Sequence, residues 1–148
     1  MIAVVQRVDK ASVTIGGESY SQINKGILIL LGIVKEDSLE DVKKLSEKII
    51  NLRIMADDDK KMNRSIVDVS GEIMVVSQFT LAANLKSGRR PDFFPAMEPK
   101  TAKSLYDKFI KILKNQGTSV KTGLFSAYMK IELINDGPVT FILNSRDL

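Results

Sequence analysis

Apolar positions in the first third of the chain recur with the spacing of strands. Residues 2–8 and 11–15 are rich in Val and Ile and predict two strands, and Gly16-Gly17 supplies a hairpin turn between Ile15 and Glu18. The stretch 26–34 is apolar at every position, which suits a strand buried on both faces. The period then lengthens. Ser38 reads as a helix N-cap with Asp41 three residues on as a variant capping box, and Leu39, Val42, Leu45, Ile49 and Leu52 mark one apolar face. Residues 72–76 predict another apolar strand, running into Ser77-Gln78-Phe79-Thr80-Leu81. Pro91, Pro95 and Pro99 make 84–99 a loop. A second helix follows, with Pro99 in its first turn, Gly117 as its C′ residue, and apolar Ala102, Leu105, Tyr106, Phe109, Ile110 and Leu113 at helical steps. Residues 127–133 alternate as a half-buried strand, and Asn135-Asp136-Gly137-Pro138 reads as a turn into a last strand at 139–143. No repeat, linker or low-complexity stretch interrupts the pattern. The expectation is one strand-rich α/β domain over 1–148 with two long helices on its sheet.

Composition narrows the chemistry. Among 148 residues there is no cysteine, histidine or tryptophan. A Ser-His-Asp or Cys-His nucleophile system is therefore excluded, as are a disulfide framework and a thiolate or imidazole zinc site. No side chain titrates between about pH 5 and 8 unless perturbed, so an ordinary neutral-pH general base is missing too. An enzyme built from this chain must use hydroxyls, carboxylates, amides, backbone groups or atoms of its substrate. The net charge of +4 permits an acidic partner without demanding one. Arg7, Asp9 and Lys10 interrupt any signal-peptide core, and the longest uncharged apolar run lies between Lys25 and Lys35, short of the roughly 20 residues of a membrane span. A cytoplasmic protein with no membrane partner is expected.

Five features carry candidate chemistry. Asp57-Asp58-Asp59 lacks the spacing of a calcium loop and reads as a solvated turn, so no metal site is expected. Lys100, Lys103, Lys111 and Lys114 fall within an arc of about 80° on the second helix, a stripe that suits either a phosphate backbone or plain solvent. The loop around Arg89, Arg90, Phe93 and Phe94 joins phosphate-pairing forks to stacking surface, or else tucks its rings onto the core. Ser77-Gln78-Phe79-Thr80 lies at a strand end, where hydroxyl, amide and freed backbone N–H groups can hold a carbonyl or a developing oxyanion. By spacing alone it is equally a strand reaching solvent. Asn135-Asp136-Gly137-Pro138 reads as a plain turn, since few X–Pro bonds are cis.

Together these stretches resemble the D-aminoacyl-tRNA deacylase family. The likeness covers Met1 to Val8, Ala11-Ser12-Val13-Thr14, Leu30-Leu31-Gly32, Lys61-Met62-Asn63, Val75-Val76-Ser77-Gln78-Phe79-Thr80-Leu81, Gly88-Arg89-Arg90-Pro91-Asp92-Phe93, Thr122-Gly123 and Asn135-Asp136-Gly137-Pro138-Val139-Thr140, in order.

The resemblance implies a mixed, curved, barrel-like sheet packed with two helices, and a cofactor-free hydrolase. The reaction it implies is hydrolysis of the ester between a D-amino acid, or mischarged glycine, and the 3′-terminal adenosine of tRNA. It further implies a homodimer with sites at the interface, in which Gly137-Pro138 is a cis pair that enters the partner's pocket and excludes L-side chains. Ser77, Gln78, Phe79 and Thr80 would line the ester site, Arg7 would brace the Gly-Pro loop, and Met129 would shape the pocket. Thr80 has a nucleophile reading. The other reading has the substrate 2′-hydroxyl activating water, with backbone N–H groups near Phe79 and Thr80 holding the oxyanion. A histidine-free chain favours the second. Arg89, Arg90, Lys100 and Lys103 are the candidate tRNA contacts. Ser126, Ala127, Tyr128 and Asn84 depart from the family's pattern at the pocket rim. The alternative from another class is a non-catalytic, oligomeric RNA-binding module.

Overall fold

The computed structural model describes residues 1–86 and 88–148; Ser87, in the arginine loop, lies outside the described residues. The two strands expected at 2–8 and 11–15 are one, β1 (Ile2–Ile15), because exposed Asp9 and Lys10 are tolerated within an unbroken extended chain. Its length gives it different neighbours at its two ends. The C-terminal half pairs antiparallel with β2 (Glu18–Ile23) through the Gly16-Gly17 hairpin. The N-terminal half pairs antiparallel with β3 (Gly26–Gly32), from Ile2 opposite Gly32 to Val8 opposite Gly26. β3 is followed by α1 (Leu39–Ile50) and a small hairpin of β4 (Met55–Ala56) and β5 (Met62–Arg64).

The chain then returns as β6 (Glu72–Ser77), parallel to β3. A 3-10 turn at Phe79–Ala82, a loop and α2 (Pro99–Asn115) lead to β7 (Ser119–Thr122), parallel to β6. The last strand, β8 (Lys130–Asn144), lies along almost the whole free side of β1, from Thr14 opposite Lys130 to Ile2 opposite Asn144. Sheet order is β2-β1-β3-β6-β7 with β8 on β1. The Ser21 hydroxyl donates to the Thr122 carbonyl at 2.8 Å and ties β2 back to β7, so the sheet curls into a nearly closed barrel.

Two apolar clusters explain the strand patterns. One joins Ile27, Ile29, Leu31, Ile73 and Val75 to the inner faces of both helices, including Val42, Leu45, Ile49, Leu105 and Phe109. The other lies on the opposite face and gathers Val8, Val13, Leu28, Met74 and Val76, with Met129 and Ile131 against them. β3 and β6 contribute to both, which is why they lack polar alternation. The capping box at α1 forms as the sequence predicts: the Ser38 hydroxyl accepts from the Glu40 N–H, and Asp41 accepts from the Ser38 N–H at 2.9 Å.

Three expectations are corrected. β3 stops at Gly32, and Val34 instead bridges to Ala96 of the long loop. The strand expected at 127–133 begins only at Lys130, because 127–129 turn along a cavity rim after Ser126 takes a left-handed φ of 63°. Asn135-Asp136-Gly137-Pro138 does not reverse the chain. It is a bulge inside β8, which stays on β1 before and after it, and the Gly137-Pro138 bond is cis. Among the described residues, no helix is long and apolar enough to cross a membrane.

Candidate active site

Position follows from the sheet. β6 ends at Ser77, and the Gln78 N–H makes a last ladder bond to the Leu31 carbonyl at 2.8 Å before the 3-10 turn begins. The turn packs onto the end of β3 at Gly32, where any Cβ would stand 2.8 Å from Leu81 Cβ and 3.0 Å from the Gln78 carbonyl. Only glycine allows that approach. The N–H groups opening a helical turn have no partner within it, and those of Phe79 and Thr80 meet none among the described residues. They are available to a carbonyl oxygen. The Thr80 hydroxyl accepts a short hydrogen bond from the Gln78 side-chain amide.

Beside this turn lies a cavity of about 460 Å³. Of the residues the sequence singled out, Ser77, Gln78, Phe79 and Met129 line it, and Thr80, Arg7, Gly137 and Pro138 of the same chain do not. The rest of the wall is apolar, including Leu31, Ile33, Ala96, Met97, Ala102 and Phe125. Sequence reasoning missed this wall, since each of those residues also fits a core or loop pattern. Ser126, Ala127 and Tyr128, three of the four noted departures, sit on the rim. Tyr106 lies behind Phe125, their centroids 5.5 Å apart. Its buried hydroxyl donates to the Val75 carbonyl at 2.8 Å, and burial raises its pKa.

The Gly-Pro bulge is held from β1. Arg7 Nε reaches both the Asp136 carbonyl and carboxylate at 3.0 Å, while its Nη1 donates to the Ile54 carbonyl at 2.8 Å. The Asn135 amide nitrogen donates to the carbonyls of Arg7 and Val139 at 3.0 and 3.1 Å, and its oxygen accepts from the Val139 N–H. Gly137 has no room for a side chain, since a Cβ would fall 1.9 Å from the Val139 nitrogen. Gly137 and Pro138 themselves are exposed.

The basic candidates lie apart from the cavity floor. Arg89 and Arg90 are exposed on the 84–97 loop, and Lys100 and Lys103 are exposed in the first turns of α2, beside lining residues Pro99 and Ala102. Lys103 is paired with Asp107 at 2.6 Å. The Asp57-Asp58-Asp59 stretch forms a turn in which Asp57 accepts from the Asp59 and Lys61 N–H groups, and the Lys61 N–H holds its carboxyl below the usual range.

The fold and this site define a single α/β domain with a curled mixed sheet, an apolar cavity at the end of its central parallel strands, and two backbone N–H groups at Phe79 and Thr80 with no partner among the described residues. Residues 4–144 match the family model described as D-Tyr-tRNA(Tyr) deacylase, and the chain belongs to that family. It is 58% identical over 146 residues to a D-aminoacyl-tRNA deacylase of Thermodesulfovibrio yellowstonii, covering 99% of this chain and 100% of that one. It is 55% identical to a D-aminoacyl-tRNA deacylase of Dictyoglomus turgidum, covering 100% of this chain and 95% of that one. A solved structure described as a c-Myc DNA unwinding element binding protein superposes with a TM-score of 0.91 at 43% identity, over 97% of this chain and 98% of that one. A probable eukaryotic D-amino acid tRNA deacylase shares the fold, with a TM-score of 0.84 at 15% identity over 96% and 97% of the two chains.

Proposed function

We propose that this chain, a hydrolase of the D-aminoacyl-tRNA deacylase family, clears D-amino acids from tRNA in the cytoplasm by a route in which the substrate supplies the base. The observation that carries the reading is the pair of N–H groups at Phe79 and Thr80 that meet no partner among the described residues, beside a cavity, in a sequence with no histidine or cysteine. The ester carbonyl oxygen sits at these N–H groups. A water attacks the carbonyl carbon while the ribose 2′-hydroxyl takes its proton, and the developing oxyanion is held by the two N–H groups. The acyl–oxygen bond then breaks, the 2′-hydroxyl passes its own proton to the departing 3′-oxygen as it keeps the one taken from water, and free amino acid and tRNA leave. Thr80 acts as a pocket residue, since an unactivated hydroxyl is a weak nucleophile and the group here is engaged by Gln78.

Chiral selection is supplied by a second copy of the chain. Gly137 and Pro138 project from β8 and are absent from the wall of their own cavity, which supports their use in a partner's pocket. The outer side of β8 pairs with no strand among the described residues and exposes Ile134 and Ile142, which supports a homodimer along that side. An L-side chain collides with the inserted pair, a D-side chain points away, and glycine passes because it has nothing to collide. Arg7 holds the inserted loop and Met129 shapes the wall. Arg89, Arg90, Lys100 and Lys103 meet the phosphates of the acceptor arm; no metal or cofactor is called on.

The test is a paired deacylation assay on D- and L-tyrosyl-tRNA. Rapid release of D-tyrosine with little release of the L-form is expected; equal rates refute the chiral filter. The mechanism is tested separately. Thr80→Ala should keep substantial activity, within about tenfold of the parent, while a substrate ending in 2′-deoxyadenosine should be nearly inert. The reverse pattern would make Thr80 the nucleophile.

A further inference from the structure

The long loop between the 3-10 turn and α2 has a fixed base. The Lys35 N–H donates to the Pro95 carbonyl and the Met97 N–H to the Ile33 carbonyl, both at 3.0 Å, and Val34 bridges to Ala96. Asn84 and Asp92 exchange hydrogen bonds across its neck, and the Asp92 carboxylate accepts the Phe94 N–H at 2.9 Å. Above this hydrogen-bonded base the paired phenylalanines diverge. Phe93 meets the cavity-lining Phe79 edge-on, with centroids 5.0 Å apart. Phe94 turns outward and is 74% exposed. The Lys35 ammonium lies over its ring, 3.1 Å from the centroid. Ala96 and Met97, immediately downstream, are cavity wall.

An exposed aromatic normally lies against something apolar of its own chain. Phe94 instead stands on the same loop two residues before the cavity-wall residue Ala96, with the Lys35 ammonium on one face and Arg89 and Arg90 earlier on the loop. An exposed ring with a cation on one face and two arginines on its loop matches the chemistry of single-stranded nucleic acid, whose bases stack on aromatic faces while its phosphates pair with Arg and Lys. It does not match an apolar protein surface, which would leave Lys35 and the arginines unpaired. The feature also fits the substrate's own geometry. A terminal adenosine in the cavity brings the unpaired nucleotide before it to the rim.

We propose that Phe94, backed by Lys35, is a stacking platform for the unpaired nucleotide adjoining the terminal adenosine of the RNA, with Arg89 and Arg90 on its phosphates. This rests on the deacylase reading of the cavity. The platform raises affinity for the RNA and orients the strand, without touching the ester.

The experiment compares the intact protein with Phe94→Leu and Phe94→Trp on two substrates, D-tyrosyl-tRNA and the D-tyrosyl ester of adenosine alone. One stacked base should make Phe94→Leu about tenfold weaker in KM for the tRNA ester with kcat little changed. Phe94→Trp should restore it, and neither change should affect the adenosine ester, which has no nucleotide to stack. Uncharged tRNA carrying 2-aminopurine beside the terminal adenosine provides a second readout. Its fluorescence should be quenched on binding the parent and Phe94→Trp but not Phe94→Leu. Equal losses on both substrates, or unchanged KM and quench in Phe94→Leu, overturn the platform. A drop in oligomeric mass in Phe94→Leu by sedimentation also overturns it, since the ring would then be a subunit contact. If the parent hydrolyses neither ester, the deacylase reading fails on its own, and the quench still decides whether Phe94 holds a base.

Discussion

Asn135 carries three backbone groups that the sheet cannot. β8 pairs Asn135 with Val8 and Thr140 with Gln6, so the four residues Asp136 to Val139 stand opposite Arg7 alone. Ladder bonds are lost there, and an unpaired peptide group in such a place costs about 1–3 kcal/mol. The Asn135 amide replaces them, donating to the carbonyls of Arg7 and Val139 while accepting from the Val139 N–H. Asn135→Asp keeps the shape but sets a carboxylate against those two carbonyls. It should lower unfolding free energy by about 2 kcal/mol in a denaturant titration. If the bulge filters chirality, it should also raise L-tyrosine release relative to D. A stability loss with an unchanged D/L ratio would leave Asn135 a structural residue only. The sequence showed Asn, Asp, Gly and Pro here and could indicate a turn, because those residues favour one locally. What keeps β8 on course comes from residues remote in sequence. Arg7, 129 positions earlier than Asp136, binds that residue's carbonyl and carboxylate, and no local rule contains such a contact.

Elements were legible where their signals are local. The α1 box at Ser38 and Asp41, the proline opening α2 and the doubly buried β3 all follow from neighbours within a turn or a strand. The small β4–β5 hairpin and β7 escaped notice because strands of two to four residues carry too little period to register. The cap of α1 also extends beyond its own element. Asp41 accepts from the Ser145 hydroxyl at 2.7 Å, and Ser145 in turn accepts from the buried Met1 amine, which is also paired with Asp37. Burial alone would raise the Asp41 pKa, but the bonds from Ser145 and Ser38 outweigh it and bring it from 3.8 to about 2. A folded value below the unfolded one means stabilisation that is complete above about pH 4 and lost as pH falls through about 2. Thermal melts should therefore show Tm dropping between those limits. Asp41→Asn should lower Tm at pH 6 and flatten the drop, whereas a parallel drop in the variant would assign the acid sensitivity to another carboxylate.

At the scale of the molecule, the two halves of the proposed site do not meet in one chain. The cradle at Phe79 and Thr80 belongs to the end of β6, while Gly137-Pro138 projects from β8, and the cavity wall includes neither member of that pair. Ile142 is 77% exposed on the strand whose outer side has no partner among the described residues. A C2 interface along β8 would use the same patch on both copies and carry each loop to the other copy's cavity. Mixing defective subunits distinguishes this arrangement from a site complete within one chain. Gly137→Ala disables the loop, because its Cβ would lie 1.9 Å from the Val139 nitrogen. Ala96→Trp fills the cavity from its wall. Each variant alone should be inactive on D-tyrosyl-tRNA at matched fold and mass. Co-expressed and purified by separate tags, the mixed dimer has one cavity that lacks both defects, since the intact cavity of one subunit receives the intact loop of the other. The other cavity carries both defects. With one working cavity of two, activity of the purified mixed dimer should recover to about half of the parent's. A site complete within one chain leaves every cavity with one defect, and the mixture would stay as inactive as either variant.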